Sequence, residues 1–170
     1  MDHIAIDIAL SFPVSVTGTS VLLVVVCIHT RFVLLRALHD KTASSVAEAL
    51  FLIFTDFGFP RVIQSDNGTE FVNQLMDYLT KQAGIDHRLV TKYHPRANGL
   101  AECFDQSSCR AIHKLLFGED WLWDRFVPAV QIFLNSKIAS AHGSAPFSVM
   151  FGRLINQFED FSKQPAITDQ

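Results

Sequence analysis

Three carboxylates stand where simple folding rules give little reason for them. Asp7 lies in IAIDIAL (4–10), where Ile4, Ile6, Ile8 and Leu10 alternate with Ala5, Asp7 and Ala9. An ionised carboxylate in such a run is costly unless it is paired, hydrogen-bonded or bound to a cation. Its two alanine neighbours leave space in front of it. Asp66 follows the apolar RVI and opens Asp-Asn-Gly, a strong turn signal. The carboxyl end of a strand is also where open α/β sheets place their ligands. Glu102 falls in a helical stretch whose core stripe reads as Leu100, Phe104, Ala111 and Leu115; Glu102, Gln106, Cys109 and His113 fall opposite. Each acid has a plainer reading: an exposed residue near the chain start, a turn former, a solvated helix residue. Brought together, however, they could not all ionise without a compensating charge, and hard divalent cations prefer oxygen ligands. Such a cluster suits two ions about 3.5–4 Å apart, one activating an attacking oxygen and one stabilising the leaving oxygen of a phosphodiester.

The elements that would position these acids follow from periodicity. IAIDIAL is a strand, VLLVVVCI (21–28) a strand of the fully buried kind, and RFVLLRAL (31–38) a third. Ser45 and Glu48 have capping-box spacing, and Val46, Ala49, Leu50, Ile53, Phe54 and Phe57 recur at helical intervals until Gly58 and Pro60. RVIQ (61–64) is a short strand, 69–83 a helix stopped by Gly84, and HRLV (87–90) a fifth strand. YHPRANG (93–99) reads as a loop leading into a helix over 99–117, and 121–137 as a further helix kinked by Pro128. Three strands followed by alternating helix and strand predict a layered α/β domain with a mixed five-stranded sheet and helices on both faces.

Composition sets limits. At 170 residues, 49% of them hydrophobic and 18% charged, the chain is one domain with a sizeable core. We read 1–153 as that domain and 154–170 as a weakly patterned tail. The net charge of −3 excludes a strongly basic surface, so DNA binding would rest on local patches. The modest basic set is Arg88, Lys92, Arg96, Arg110 and Lys114. Cys27, Cys103 and Cys109 form no CxxC pair and no even framework, which fits a reduced, intracellular setting. The run 21–28 is far short of the roughly 18 residues of a membrane span, and no signal-peptide pattern precedes it.

The motifs resemble the catalytic core of retroviral and long-terminal-repeat retrotransposon integrases, the Gypsy type especially. The matching stretches are IDIA (6–9), LLVVVCIHTRFV (22–33), FGFPRVIQSDNGTEF (57–71), TKYHPRANGLAE (91–102) and FLNS…PFSVMFGR (133–153). Thirty-five residues separate Asp66 from Glu102, the interval that names this family's acidic motif. The resemblance implies a ribonuclease-H-like fold, with Asp7, Asp66 and Glu102 as the catalytic, metal-binding triad for Mg²⁺ or Mn²⁺, two ions during catalysis. It implies phosphoryl transfer without a covalent enzyme intermediate: DNA end processing, then in-line attack of the freed 3′-hydroxyl on a target phosphodiester. Asn67, His94, Arg96, Asn98, Gln106 and Arg110 would contact DNA, both transposon ends and target. His94 has the equal alternative of packing within its loop. The same resemblance implies a homo-oligomer working in the nucleus, or the cytoplasm in transit, with no membrane partner. The family's zinc module and basic C-terminal domain have no counterpart in these residues, so no zinc is expected.

The sequence also departs from the family. Cys27 stands where aspartate is usual, Leu10-Ser11 where Gly-Pro is usual, and Glu102-Cys103-Phe104-Asp105 replaces Glu-Arg-Phe-Asn. Gln106 and Cys109 occupy positions where many members carry basic groups toward DNA; Leu134 and Ala139 replace a tyrosine and a histidine. These changes remove charge near the site and leave core positions intact. Three readings therefore stay open: an active integrase core (a fragment or a degenerate copy), a non-catalytic module of the same fold that binds DNA or protein, and a ribonuclease-H-like nuclease. The last fits YHP…NG…E poorly.

Overall fold

A computed structural model describes residues 1–9, 12–90, 95–116 and 119–155, with the backbone alone for 95–103 and 105. The alternating run at the start forms the central strand, β1 (His3–Ala9). It pairs antiparallel with β2 (Val21–Cys27), which pairs antiparallel with β3 (Val33–Leu38). On its other side β1 pairs parallel with β4 (Val62–Ser65), and β4 parallel with β5 (Asp86–Leu89). The order is β3-β2-β1-β4-β5, the mixed five-stranded sheet the strand pattern predicts.

Every residue of β2 is buried, as its unbroken apolar run requires of a strand covered on both faces. Leu23 and Val25 share one cluster with Val46, Leu50, Ile53 and Phe54 of α1 (Ala43–Phe57) and Met76 of α2 (Gln74–Ala83). Leu22, Val24 and Val26 share the other with Ile112 of α3 (Pro95–Leu115) and with Trp123, Val127 and Val130 of α4 (Trp123–Ser136). Each such fully buried large apolar side chain contributes about 1.5–3 kcal/mol, so the two layers hold the sheet from both sides. A short 3₁₀ turn, Asp120–Leu122, leads into α4. A last helix, α5 (Pro146–Phe151), is one the periodicity did not signal.

Several boundaries differ from expectation. Thr42, not Ser45, caps α1: its side chain accepts the Ser45 N–H, while the hydroxyls of both residues donate to Asp40. The helix expected from residue 69 starts at Gln74, because Asn73 takes the cap by accepting from Met76 N–H. The Asn73 amide also donates to the carbonyls of Thr69 and Glu70, which closes the preceding turn. The expected loop 93–99 is helical from Pro95, a residue suited to the first helical position. Tyr93 and His94, like Leu10, Ser11 and the tail beyond 155, lie outside the described residues.

Candidate metal centre

The parallel pairing of β1 and β4 decides how two of the acids stand to each other. Ala5 and Gln64 are the last paired positions; Asp7 lies two residues further on within β1, and Asp66 two residues further on, just past the end of β4. The two acids thus stand level in register, past the last pair of two adjacent parallel strands. Asp7 faces Val24 across the β1–β2 pair, on the side of the sheet that α3 covers. Ala5 and Ala9, its neighbours on that side, are fully buried and short. Asp7 itself is half-buried, and its Oδ1 accepts the N–H of Ile8 at 2.8 Å.

Asp66 is both turn chemistry and a strand-end carboxylate. Its Oδ1 accepts the Gly68 N–H at 2.9 Å, which closes the turn into residues 67–73 and leaves Oδ2 without that duty. Beneath it, Ser65 is fully buried and its hydroxyl donates to the Asp66 carbonyl at 2.9 Å. The same oxygen lies 2.9 Å from Nε2 of His87 on β5. Burial holds the His87 imidazole below its ordinary pKa, with the carboxylates of Asp77 and Asp86 opposing.

Glu102 belongs to α3, which crosses β1 on the face that carries Asp7. Its side chain is outside the described ones, as are those of Arg96 and Asn98, so the three-carboxylate cluster is not within the described atoms. Among the described residues no three His, Cys, Asp or Glu side chains converge. The two aspartates suit a divalent cation in donor type: hard oxygens, level, on the same end of neighbouring strands.

The residues meant to meet DNA are only partly as expected. Asn67, Gln106 and Arg110 are exposed, and Arg110 donates to Gln106 Oε1 at 3.5 Å, one helical turn away. The predicted stripe of α3 is rotated. Ser108, Ile112 and Leu116 are buried, with Phe104 and Ala111 packed beside them, whereas Leu115 is 37% exposed. Cys109, placed on the outer face from sequence, is half-buried against the second core cluster. Ser108 misleads the helical wheel because its hydroxyl donates to the Phe104 carbonyl at 2.6 Å, so a polar residue buries at little cost. Arg88 is engaged by Asp86 at 2.7 Å. Arg110 and Lys114 instead line a groove of about 380 Å³ between α3 and α4 together with Lys137, a cation the sequence reading missed. Lys137 ends the helical run, and only the packing of α4 on α3 brings it to the other two.

The comparisons with known proteins bear on the family and the fold. The family model described as integrase core domain matches residues 1–95. The Pro-Pol polyprotein of simian foamy virus type 1 is 32% identical over 130 residues, 76% of this chain and 11% of that protein. A retrovirus-related Pol polyprotein from transposon 412 of Drosophila melanogaster is 24% identical over 167 residues, 98% of this chain and 14% of that protein. The chain thus spans only 11% and 14% of the length of these two polyproteins. Among solved structures, the HTLV-2 integrase catalytic core domain in complex with magnesium superposes with a TM-score of 0.72 at 17% identity, covering 87% of this chain and 95% of that one. A chain of the simian T-cell lymphotropic virus intasome, solved with PP2A regulatory subunit B56 gamma, gives 0.76 at 16% identity over 99% of this chain and 60% of that one. The fold is accordingly ribonuclease-H-like. No helix among the described residues is long and apolar enough to cross a membrane. With this sheet order and a family match over more than half its length, the chain belongs to the integrase core domain family.

Proposed function

We propose that this chain is a divalent-metal-dependent polynucleotidyl transferase, which processes transposon DNA ends and joins them to target DNA, with Asp7, Asp66 and Glu102 as the metal ligands. The observation that carries the reading is the level placement of Asp7 and Asp66 in register, past the last pair of two adjacent parallel strands, with α3, the helix of Glu102, packed on β1. When bound, Mg²⁺ or Mn²⁺ supplies a more acidic water and neutralises charge on the leaving oxygen. The chain's own part is placement. Asp7 and Asp66 hold fixed oxygens on a rigid sheet, and Gly68 N–H orients one carboxylate. Exposed Arg110 and Gln106 on α3 steady a phosphate, with Asn67, His94, Arg96 and Asn98 lining the DNA path. The working form is a homo-oligomer on nuclear DNA.

The test is strand joining, or its reversal on a branched DNA, with Mg²⁺ or Mn²⁺. Wild-type chain is expected to melt at a higher temperature with millimolar metal, because the ion binds only the native site. Asp66→Asn removes a charged ligand at constant volume and is expected to abolish both the shift and the joining. The half-burial of Cys109 and the neutral Gln106 favour a second reading, a non-catalytic DNA- or protein-binding module. Wild-type protein with no metal-dependent shift would put that reading first.

A further inference from the structure

Under Asp66 lies a pair of side chains that no metal or DNA contact requires. Ser65 is the last residue of β4, with no exposed surface, and His87 sits on β5 in register with Ile63, on the same side of the sheet as Ser65. The Ser65 hydroxyl has one proton, which it donates to the Asp66 carbonyl at 2.9 Å. With that proton given to the carbonyl, the 2.9 Å contact with His87 Nε2 is completed by the ring tautomer that carries its hydrogen on Nε2. Burial holds the ring's pKa below its ordinary value, opposed by the charges of Asp77 on α2 and of Asp86, its neighbour on β5. The Ser65 carbonyl in turn accepts the Val90 N–H at 2.8 Å, so the residue is tied to β5 through both side chain and backbone.

We propose that His87 and Ser65 are positioning residues for Asp66: the chain His87 Nε2–H to Ser65 Oγ–H to the Asp66 carbonyl sets the angle at which that carboxylate meets a cation. The inference rests on the reading of Asp66 as a metal ligand. A packing pair would need only volume here; this pair forms a hydrogen-bonded chain through Ser65 Oγ that ends on the peptide carrying the ligand. Outer partners of this kind typically change metal affinity about 10–100-fold when removed.

The full chain is titrated with Mn²⁺ alone, following melting temperature and the bound-ion paramagnetic resonance signal, so that no activity is needed. Ser65→Ala and His87→Leu are expected to weaken Mn²⁺ binding at least about tenfold. His87→Gln, which restores an N–H donor at similar reach, is expected to recover most of the affinity whether or not it recovers the metal-free melting temperature. Ser65→Cys, a weak donor of similar size, covers the case in which the alanine fails to fold, and is expected to bind as weakly as His87→Leu. Asp66→Asn serves as the control. If it removes Mn²⁺ binding while Ser65→Ala and His87→Leu bind as wild type, the positioning role is overturned and the ligand assignment stands. If His87→Gln binds as poorly as His87→Leu, donation is irrelevant and the role is again overturned. If Asp66→Asn binds Mn²⁺ as wild type, the ligand assignment itself falls and takes this inference with it.

Discussion

His87 has a pH signature of its own. Its imidazole is held below the ordinary value of 6.5 by burial. A histidine whose folded pKa is depressed lets the unfolded chain bind the proton first, so stability is full above about 6.5 and falls as the pH drops below it. Urea unfolding at pH 7.5 and 5.5 is expected to show lower stability at 5.5, and the difference is expected to shrink in His87→Gln. Equal pH dependence in the two proteins would remove His87 as the cause. Asp7 and Asp66 were legible in the sequence because each breaks a local rule, one a carboxylate in an apolar strand, the other an acid at a strand end. The Ser65–His87 link was not legible, since it exists only once β4 and β5 are paired in register. Nor could the sequence say that Asp7 and Asp66 stand level, for that follows from a pairing between segments 59 residues apart in His3↔Val62.

At the scale of elements, α4 does more than cover the sheet. β3 is an edge strand, and its outward backbone groups are met by side chains of α4 and of its own residues. Asn135, 2% exposed, accepts the Val33 N–H and donates to the Val33 carbonyl, each at 2.8 Å. Gln131, one turn earlier, accepts the Leu35 N–H at 2.8 Å, and Arg36 donates to the Leu35 carbonyl at 2.9 Å. Asn135→Ala removes two hydrogen bonds and strands two buried backbone groups, for an expected loss of about 3 kcal/mol. Chemical denaturation reads this directly; a loss below about 1 kcal/mol would mean that water replaces the amide. Thr42→Ala at the α1 cap is expected to cost only about 1 kcal/mol, since the cap is exposed. The helix over 121–137 was legible from its period. Its docking partner was not, because Asn135 and Gln131 read as ordinary polar positions until β3 lies beside them.

For the molecule as a whole, a net charge of −3 leaves DNA binding to local cations. Arg110, Lys114 and Lys137 line one groove between α3 and α4, whereas Arg88 and Arg61 are held by Asp86 and Asp2. DNA binding is therefore expected to be weak, independent of sequence and steeply salt-dependent. Lys137→Ala is expected to lower the slope of log affinity against log salt by about 1, as the loss of one phosphate contact does. Fluorescence anisotropy at 50 and 200 mM salt checks both points. Affinity that holds at the higher salt, or a Lys137→Ala slope equal to wild type, would place the DNA elsewhere. Element order and the mixed five-stranded sheet were readable at this scale; the order of the strands within it was not, since it rests on long-range pairing. The grouping of cations was not, since it depends on how two helices cross.

The Asn135 and Gln131 contacts also impose an order in time. β3 is complete by Leu38, yet its cover comes with residues 131–135, about a hundred residues later. At about 5–20 residues per second, a ribosome leaves that bare edge waiting for several seconds or more. The waiting strands are VLLVVVC and VLLRAL, apolar and rich in β-branched or branched side chains, which is the composition that templates strand addition between chains. A nascent chain stalled before residue 120 is thus expected to self-associate, as light scattering of a 1–119 fragment would register. In the full chain, α4 covers that edge with its own side chains.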